Sequence, residues 1–151
     1  MNIIGIDPGK DGGLAIISSD RRYIQAFSFT NLSEKEIYGL IVRETFDPCR
    51  AFLEKVGAMR GQGVTSMFTF GQGYGFLRAC LYATGTPFED VPPQTWQKGV
   101  GLGGLKGDRP DRKRQLKAGA ERLFPQIKVT LSTADALLIA EYGHRLIYRK
   151  G

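Results

Sequence analysis

Apolar positions along the chain fall into short runs and stripes, and the change of spacing from two to three-and-four marks out strands and helices. Asn2 to Ile6 is a short apolar, β-branched run stopped by Asp7-Pro8-Gly9, which predicts a buried strand ending at a tight turn. After Gly12-Gly13, Leu14 to Ser18 reads as a second strand, and Tyr23 to Phe27, where apolar and polar residues alternate, as a third. Arg21 and Arg22 fall at the hairpin tip between them. Three consecutive short strands imply an antiparallel meander at the start of a mixed sheet.

Ser33 followed three residues later by Glu36 is a capping box, predicting a helix from about Glu34 to Thr45 that Asp47-Pro48 ends. Arg50 to Val56 reads as another buried strand carrying an acid, Glu54, towards its end. A glycine-rich stretch from Gly57 to Gly63 precedes a helix from Ser66, whose apolar residues Met67, Phe70, Tyr74, Leu77 and Leu81 make one stripe. Gly71, Gly73 and Gly75 within it cost about 1 kcal/mol each relative to alanine. That cost points either to close approach by another backbone, a subunit or a nucleic acid, or to a loosely formed helix start. Phe88 to Val91 is a short last strand, and Pro92-Pro93 open a helical turn around Gln94 to Trp96, with Trp96 in the core. The loop from Gly99 to Pro110 has too many glycines for regular structure; Asp111 to Leu123 is a basic amphipathic helix, and Ser132 caps an apolar helix over Ala136 to Tyr142.

These elements predict one α/β domain over residues 1–151. The 42% hydrophobic and 24% charged residues are ordinary for a globular protein with a full core. No apolar stretch approaches the roughly 20 residues a membrane helix needs, and Met1 leads straight into the first strand, so the expectation is a cytoplasmic protein with no membrane partner. Cys49 and Cys80 lack metal-ligand spacing and read as buried, reduced thiols. The net charge of +6 changes the picture more, because it favours a polyanionic partner. Much of that charge lies between Lys98 and Lys117, in and after the glycine-rich loop, where basic residues could follow phosphates.

The candidate chemistry lies in carboxylates. Asp7 and Glu54 end two buried strands, and Asp135 lies on the first turn of a late helix. If the strands are neighbours and the helix packs across their ends, the three acids converge into a site for Mg²⁺, a hard ion that takes oxygen ligands. Two such ions about 3.5–4 Å apart can activate water and stabilise the leaving oxygen of a phosphodiester.

The Asp7-Pro8-Gly9 turn, FLEKV at 52–56, the helix containing FTFGQGYGFLRACL, VPPQTWQKGVG, the basic KGDRPDRKRQ and STADALLIAEYG occur in the order found in RuvC-type Holliday junction resolvases, and nearly the whole chain resembles that family, in its compact phage and prophage branch. The resemblance implies a ribonuclease-H-like mixed five-stranded sheet flanked by helices. It implies a homodimer that binds four-way DNA junctions and cuts two strands with Mg²⁺ or Mn²⁺, in a bacterial or phage-infected cytoplasm. Asp7, Glu54 and Asp135 take the positions of the family's metal-binding catalytic acids. Lys98, Lys106 and Lys113 fall where the family places lysines near the scissile phosphate, with Arg112 in the same basic segment, and Met59 and Arg60 fall where a wedge into the junction centre is expected.

One position departs from the family pattern. Three residues before the last acid the family carries another acid or a histidine, and this chain has Ser132, on the same helix face as Asp135. A hydroxyl is a weaker Mg²⁺ ligand than a carboxylate, which puts a second ion in question. Ser132 is compatible with a natural site completed by water or another group, with a substituted and weakened catalyst, or with a protein that binds junctions without cutting; RNA–DNA hybrids and other branched DNA are further substrates to weigh. Glu141 lies six residues beyond Asp135 and points elsewhere, and His144 is expected at a surface or helix-end position.

Overall fold

A computed structural model describes residues 1–58 and 60–149. Strand β1 (Asn2–Asp7) is the hub of the sheet. It pairs antiparallel with β2 (Gly13–Ile17), which pairs antiparallel with β3 (Ile24–Ser28), giving the expected meander. On its other side β1 pairs parallel with β4 (Cys49–Glu54), and β4 pairs parallel with β5 (Phe88–Val91). The strand order is β3-β2-β1-β4-β5, a mixed five-stranded α/β sheet, as the resemblance implies.

Alternation within the strands decides what covers each face. Ile4, Ile6, Leu14, Ile16, Ala51 and Leu53 turn to one side, under α1 (Glu34–Glu44) and α2 (Val64–Ala83), which supply Leu40, Ile41, Leu77, Cys80 and Leu81. Ile3, Ala15, Ile17 and Phe52 turn to the other side, against α3 (Pro93–Gly99), α4 (Arg109–Leu123) and α5 (Leu131–Tyr148). Helix α5 lies almost on the sheet. A Cβ on Gly5 would stand 2.2 Å from the Ala136 carbonyl oxygen and 2.3 Å from the Ala140 nitrogen, so only glycine allows this approach. Burying two faces of strand and an almost wholly buried helix is what a 151-residue chain needs to hold its fold without cross-links; both cysteines are free and buried.

Several boundaries differ from the expectation. Helix α2 begins at Val64 and runs regularly, and a Cβ at Gly71, Gly73 or Gly75 would meet nothing within 4 Å. Among the described residues no other backbone approaches these glycines, and the helix start is regular. The apolar stripe holds only in the second half of α2: Leu77 and Leu81 are buried, while Met67 and Phe70 are half-buried and Phe68 is 67% exposed. Helix α4 starts at Arg109 rather than Asp111, because the Asp108 carboxylate caps it, accepting from the Asp111 amide at 2.9 Å. Helix α5 starts at Leu131, with Thr130 as cap: the Thr130 amide donates to Thr133 Oγ1 at 3.0 Å, and Ser132 sits inside the first turn rather than before it.

His144 is buried, not at the surface. Its Nε2 lies 3.1 Å from the Ser19 carbonyl, because the β2–β3 hairpin tip folds over α5. At the same tip Arg21, at φ 61, reaches Glu141 at 2.6 Å, and Arg145 reaches it at 2.7 Å. Burial works to raise the Glu141 carboxyl, but the two guanidinium groups outweigh it and hold it below the ordinary range. Glu141 therefore belongs to a structural ion cluster directed away from Asp135.

Candidate active site

The parallel register of β1 and β4 sets Ile6 beside Leu53, so the next residues, Asp7 and Glu54, end neighbouring strands. Alternation turns both towards the α5 side, shared by Ile3 and Phe52. Pro8-Gly9 ends β1 there, with Gly9 at φ 114, a conformation that suits glycine. Asp135, in the second turn of α5, is buried under the same strand ends. Asp7, Glu54, Ser132, Lys113, Arg109 and Phe70 line a cavity of about 710 Å³.

The three acids feel one another. Burial raises the Asp7 carboxyl well above its usual value, and the negative charges of Asp135 and Glu54 raise it further. Glu54 is pushed up to about 7, chiefly by burial, against the opposing effect of a hydrogen bond from Trp96. Lys113 on α4 donates its ammonium to Asp135 Oδ2. Burial pulls Lys113 down, but Asp135, then Asp7 and Glu54, outweigh it and hold the ammonium above its usual range. Asp135 Oδ1 is buried with no hydrogen-bond partner among the described residues.

These features fit a divalent cation in chemistry: three oxygen donors, costly mutual repulsion, an orphaned carboxylate oxygen and one ammonium as the compensating charge. Among the described residues no three acids, histidines or cysteines stand close enough together to hold an ion as they are. The acids are instead gathered around Lys113.

Ser132 reaches the cavity, as its helix position implies, but its hydroxyl is engaged. Oγ donates to Ser28 Oγ at 2.8 Å and lies 3.1 Å from Thr130 Oγ1. Ser28 Oγ also accepts from the Thr30 amide at 3.0 Å. A neutral hydroxyl network thus fills the corner where the resemblance leads one to expect an acid or a histidine.

The predicted nucleic-acid contacts are more scattered. Lys113 alone of them lines the cavity. Lys98 is exposed at the end of α3, Arg112 is exposed on α4, and Arg60 is exposed after β4. Lys106 is exposed on a loop pinned to α4, its carbonyl accepting from Gln115 at 2.7 Å. Met59 lies outside the described residues.

Two cavity groups and one buried group behind the cavity escape a reading of the sequence. Arg109 enters because the Asp108 cap starts α4 early, and Phe70 because the first half of α2 leaves the core. Trp96 is buried as predicted, yet its indole Nε1 donates to Glu54 Oε2 at 2.8 Å. The Pro92-Pro93 helix start was the available signal, since it turns the chain back immediately after β5.

No family model and no curated protein matches the sequence. Solved structures do match. That of Thermus thermophilus RuvC aligns with a TM-score of 0.64 and 18% identity over 97% of this chain and 95% of that one. T. thermophilus RuvC in complex with Holliday junction substrate aligns with a TM-score of 0.70 and 16% identity, over 99% of this chain and 96% of that one. At these identities the likeness is one of fold, and it spans nearly the entire length of both chains.

Proposed function

We propose that this chain is a structure-selective endonuclease, a single nuclease domain that acts as a homodimer and resolves four-way DNA junctions by paired, metal-dependent phosphodiester hydrolysis. The convergence of Asp7, Glu54 and Asp135 around Lys113 carries the reading; Asp7, Glu54 and Lys113 line the cavity, and Asp135 lies buried behind it, held by Lys113. The fold of a RuvC bound to a Holliday junction substrate and the net charge of +6 support it.

Asp7, Glu54 and Asp135 are the residues that would hold Mg²⁺ or Mn²⁺. The bound ion would supply a water activated for attack and charge to stabilise the phosphate oxygens. Burial makes Asp7 and Glu54 reluctant anions, so they draw a cation strongly when ionised. Lys113 serves as the counter-charge to the acids and, were an ion bound there, would be placed to offer its ammonium to a phosphate oxygen, with Arg109 on the same cavity wall. Lys98, Lys106, Arg112, Arg60 and Met59 are assigned to the backbone of the junction arms, where they position DNA without reading its sequence.

Mg²⁺- or Mn²⁺-dependent nicking of a synthetic four-way junction, beside an Asp7→Asn control, tests this. Cleavage by the wild type and not by the variant is expected; equal cleavage by both removes the proposed site. RNA–DNA hybrids and other branched DNA belong in the same assay.

A second reading, a junction-binding protein that cuts weakly or not at all, is favoured by one observation: Ser132 is held in a hydroxyl network and adds no charge to the site. Ser132→Asp separates the two. A large gain in cleavage identifies a weakened nuclease, a wild type that already cuts and gains nothing shows that the serine is tolerated, and absence of cleavage in both supports the junction binder.

A further inference from the structure

Glu54 is the last residue of β4, and β5 ends beside it, with Val91 as its partner in the register. The Lys55 amide donates to the Val91 carbonyl at 2.8 Å, which locks the two strand ends together. Helix α3 starts two residues after Val91, with the Trp96 amide 3.3 Å from the Pro92 carbonyl in its first turn. The chain therefore doubles back over the end of β4. Trp96 is wholly buried among Val91, Val100 and α5 side chains, and its indole N–H reaches Glu54 Oε2 at 2.8 Å.

An indole N–H is a donor only. It can hold a carboxylate oxygen, and it can offer nothing to a ligand in the cavity. Glu54 Oε1 accepts no hydrogen bond among the described residues, and Glu54 lines the cavity. One oxygen is thus tethered to the core and the other is left to the site. Burial of the indole ring fixes the tether, because a side chain packed on every face has no alternative rotamer.

We propose that Trp96 is a positioning residue for the metal site: its indole N–H fixes the Glu54 carboxylate so that the remaining oxygen is presented to the cation. The inference rests on the nuclease reading of the same cavity. Partners behind a metal ligand typically change metal affinity by roughly 10- to 100-fold when removed. Trp96 is also the sole tryptophan, so the chain carries its own reporter at the site.

The test uses Mn²⁺ and Mg²⁺ without DNA. Calorimetric titration of wild type and Trp96→Phe, which keeps most of the ring and loses the N–H, is expected to show affinity weakened on the order of tenfold or more. Where Trp96→Phe does not fold, benzothienylalanine at position 96 keeps the bicyclic shape and replaces the N–H by sulfur. Tryptophan emission of the wild type is expected to change on titration, and Glu54→Gln, which keeps Trp96, is expected to abolish the change. Wild-type affinity in either variant at 96, or emission indifferent to saturating metal, overturns the proposal. Failure is distinguishable from failure of the nuclease reading: a wild type that binds metal through Glu54 but cuts no branched DNA sinks the latter alone. A wild type that cuts while the variant at 96 binds metal equally well sinks the former alone.

Discussion

Lys113 on α4 donates to Oδ2 of Asp135 on α5, while Oδ1 of the same carboxylate is buried without a partner. One ammonium therefore balances a pocket of three poorly hydrated acids. Lys113→Ala is expected to destabilise the metal-free protein by about 1–2 kcal/mol, less than the full cost of breaking a buried pair because the lysine is 35% exposed. Saturating Mg²⁺ should recover most of that loss, since the ion replaces the missing charge. Thermal unfolding with and without Mg²⁺ reads both effects; a loss that Mg²⁺ leaves untouched would show that Lys113 is not in the cation's place.

Asp7 is repelled by both of its acidic neighbours and desolvated by burial. Asp7→Asn should therefore raise the stability of the metal-free protein by about 1 kcal/mol, or roughly 2–4 °C in Tm, while junction cleavage falls on the order of 1000-fold. Melting curves in EDTA beside the cleavage assay check the pair of outcomes. A variant both less stable and inactive would place Asp7 in the structural framework.

Glu54 titrates near 7 in the fold against 4.5 ordinarily. An acid with a raised folded pKa holds its proton more tightly when folded, so its stabilising contribution is full below about pH 4.5 and is lost as pH rises through 7. The loss is at most about 3 kcal/mol. Metal-free wild type should lose stability across this window relative to Glu54→Gln; parallel stability–pH curves would refute the shift.

Two glycines make opposite predictions. Gly5→Ala drives a Cβ into the α5 backbone and should cost about 3 kcal/mol or more, with metal affinity falling as Asp135 is pushed off the strand ends. A Cβ at Gly75 would meet nothing within 4 Å among the described residues and the position is exposed, so with Gly75→Leu the fold should persist. Gly71, Gly75 and Ala79 are exposed at four-residue spacing, flanked by Phe68 at 67% and Tyr82 at 68% exposure, a face suited to close helix packing. In the proposed homodimer Gly75→Leu is expected to yield a folded monomer by light scattering, with a Tm that no longer rises with protein concentration; a persistent dimer moves the interface elsewhere.

The strands were legible because alternation and turn residues are local signals: Asn2 to Ile6, Gly12-Gly13 and the acid at 54 mark their elements without help from distant residues. The Ser33–Glu36 capping box was legible for the same reason, and the structure shows both of its hydrogen bonds. His144 was not, since its burial depends on a hairpin tip that arrives from residues 18–23. Nor was the tether from Trp96 to Glu54, because a core tryptophan has the same pattern whether or not its N–H finds a carboxylate. Arg109 was hidden by a single capping aspartate that moved a helix start by two residues.

The close seat of α5 on β1 has a consequence in time. Synthesis runs from the N-terminal side, so Asp7 emerges before Asp135 and before the helix that covers one face of the sheet. Until α5 docks through Gly5, the nascent chain lacks one acid of the proposed site and the roof over the other two. In the proposed nuclease, cutting competence would therefore wait until α5 has docked on the sheet.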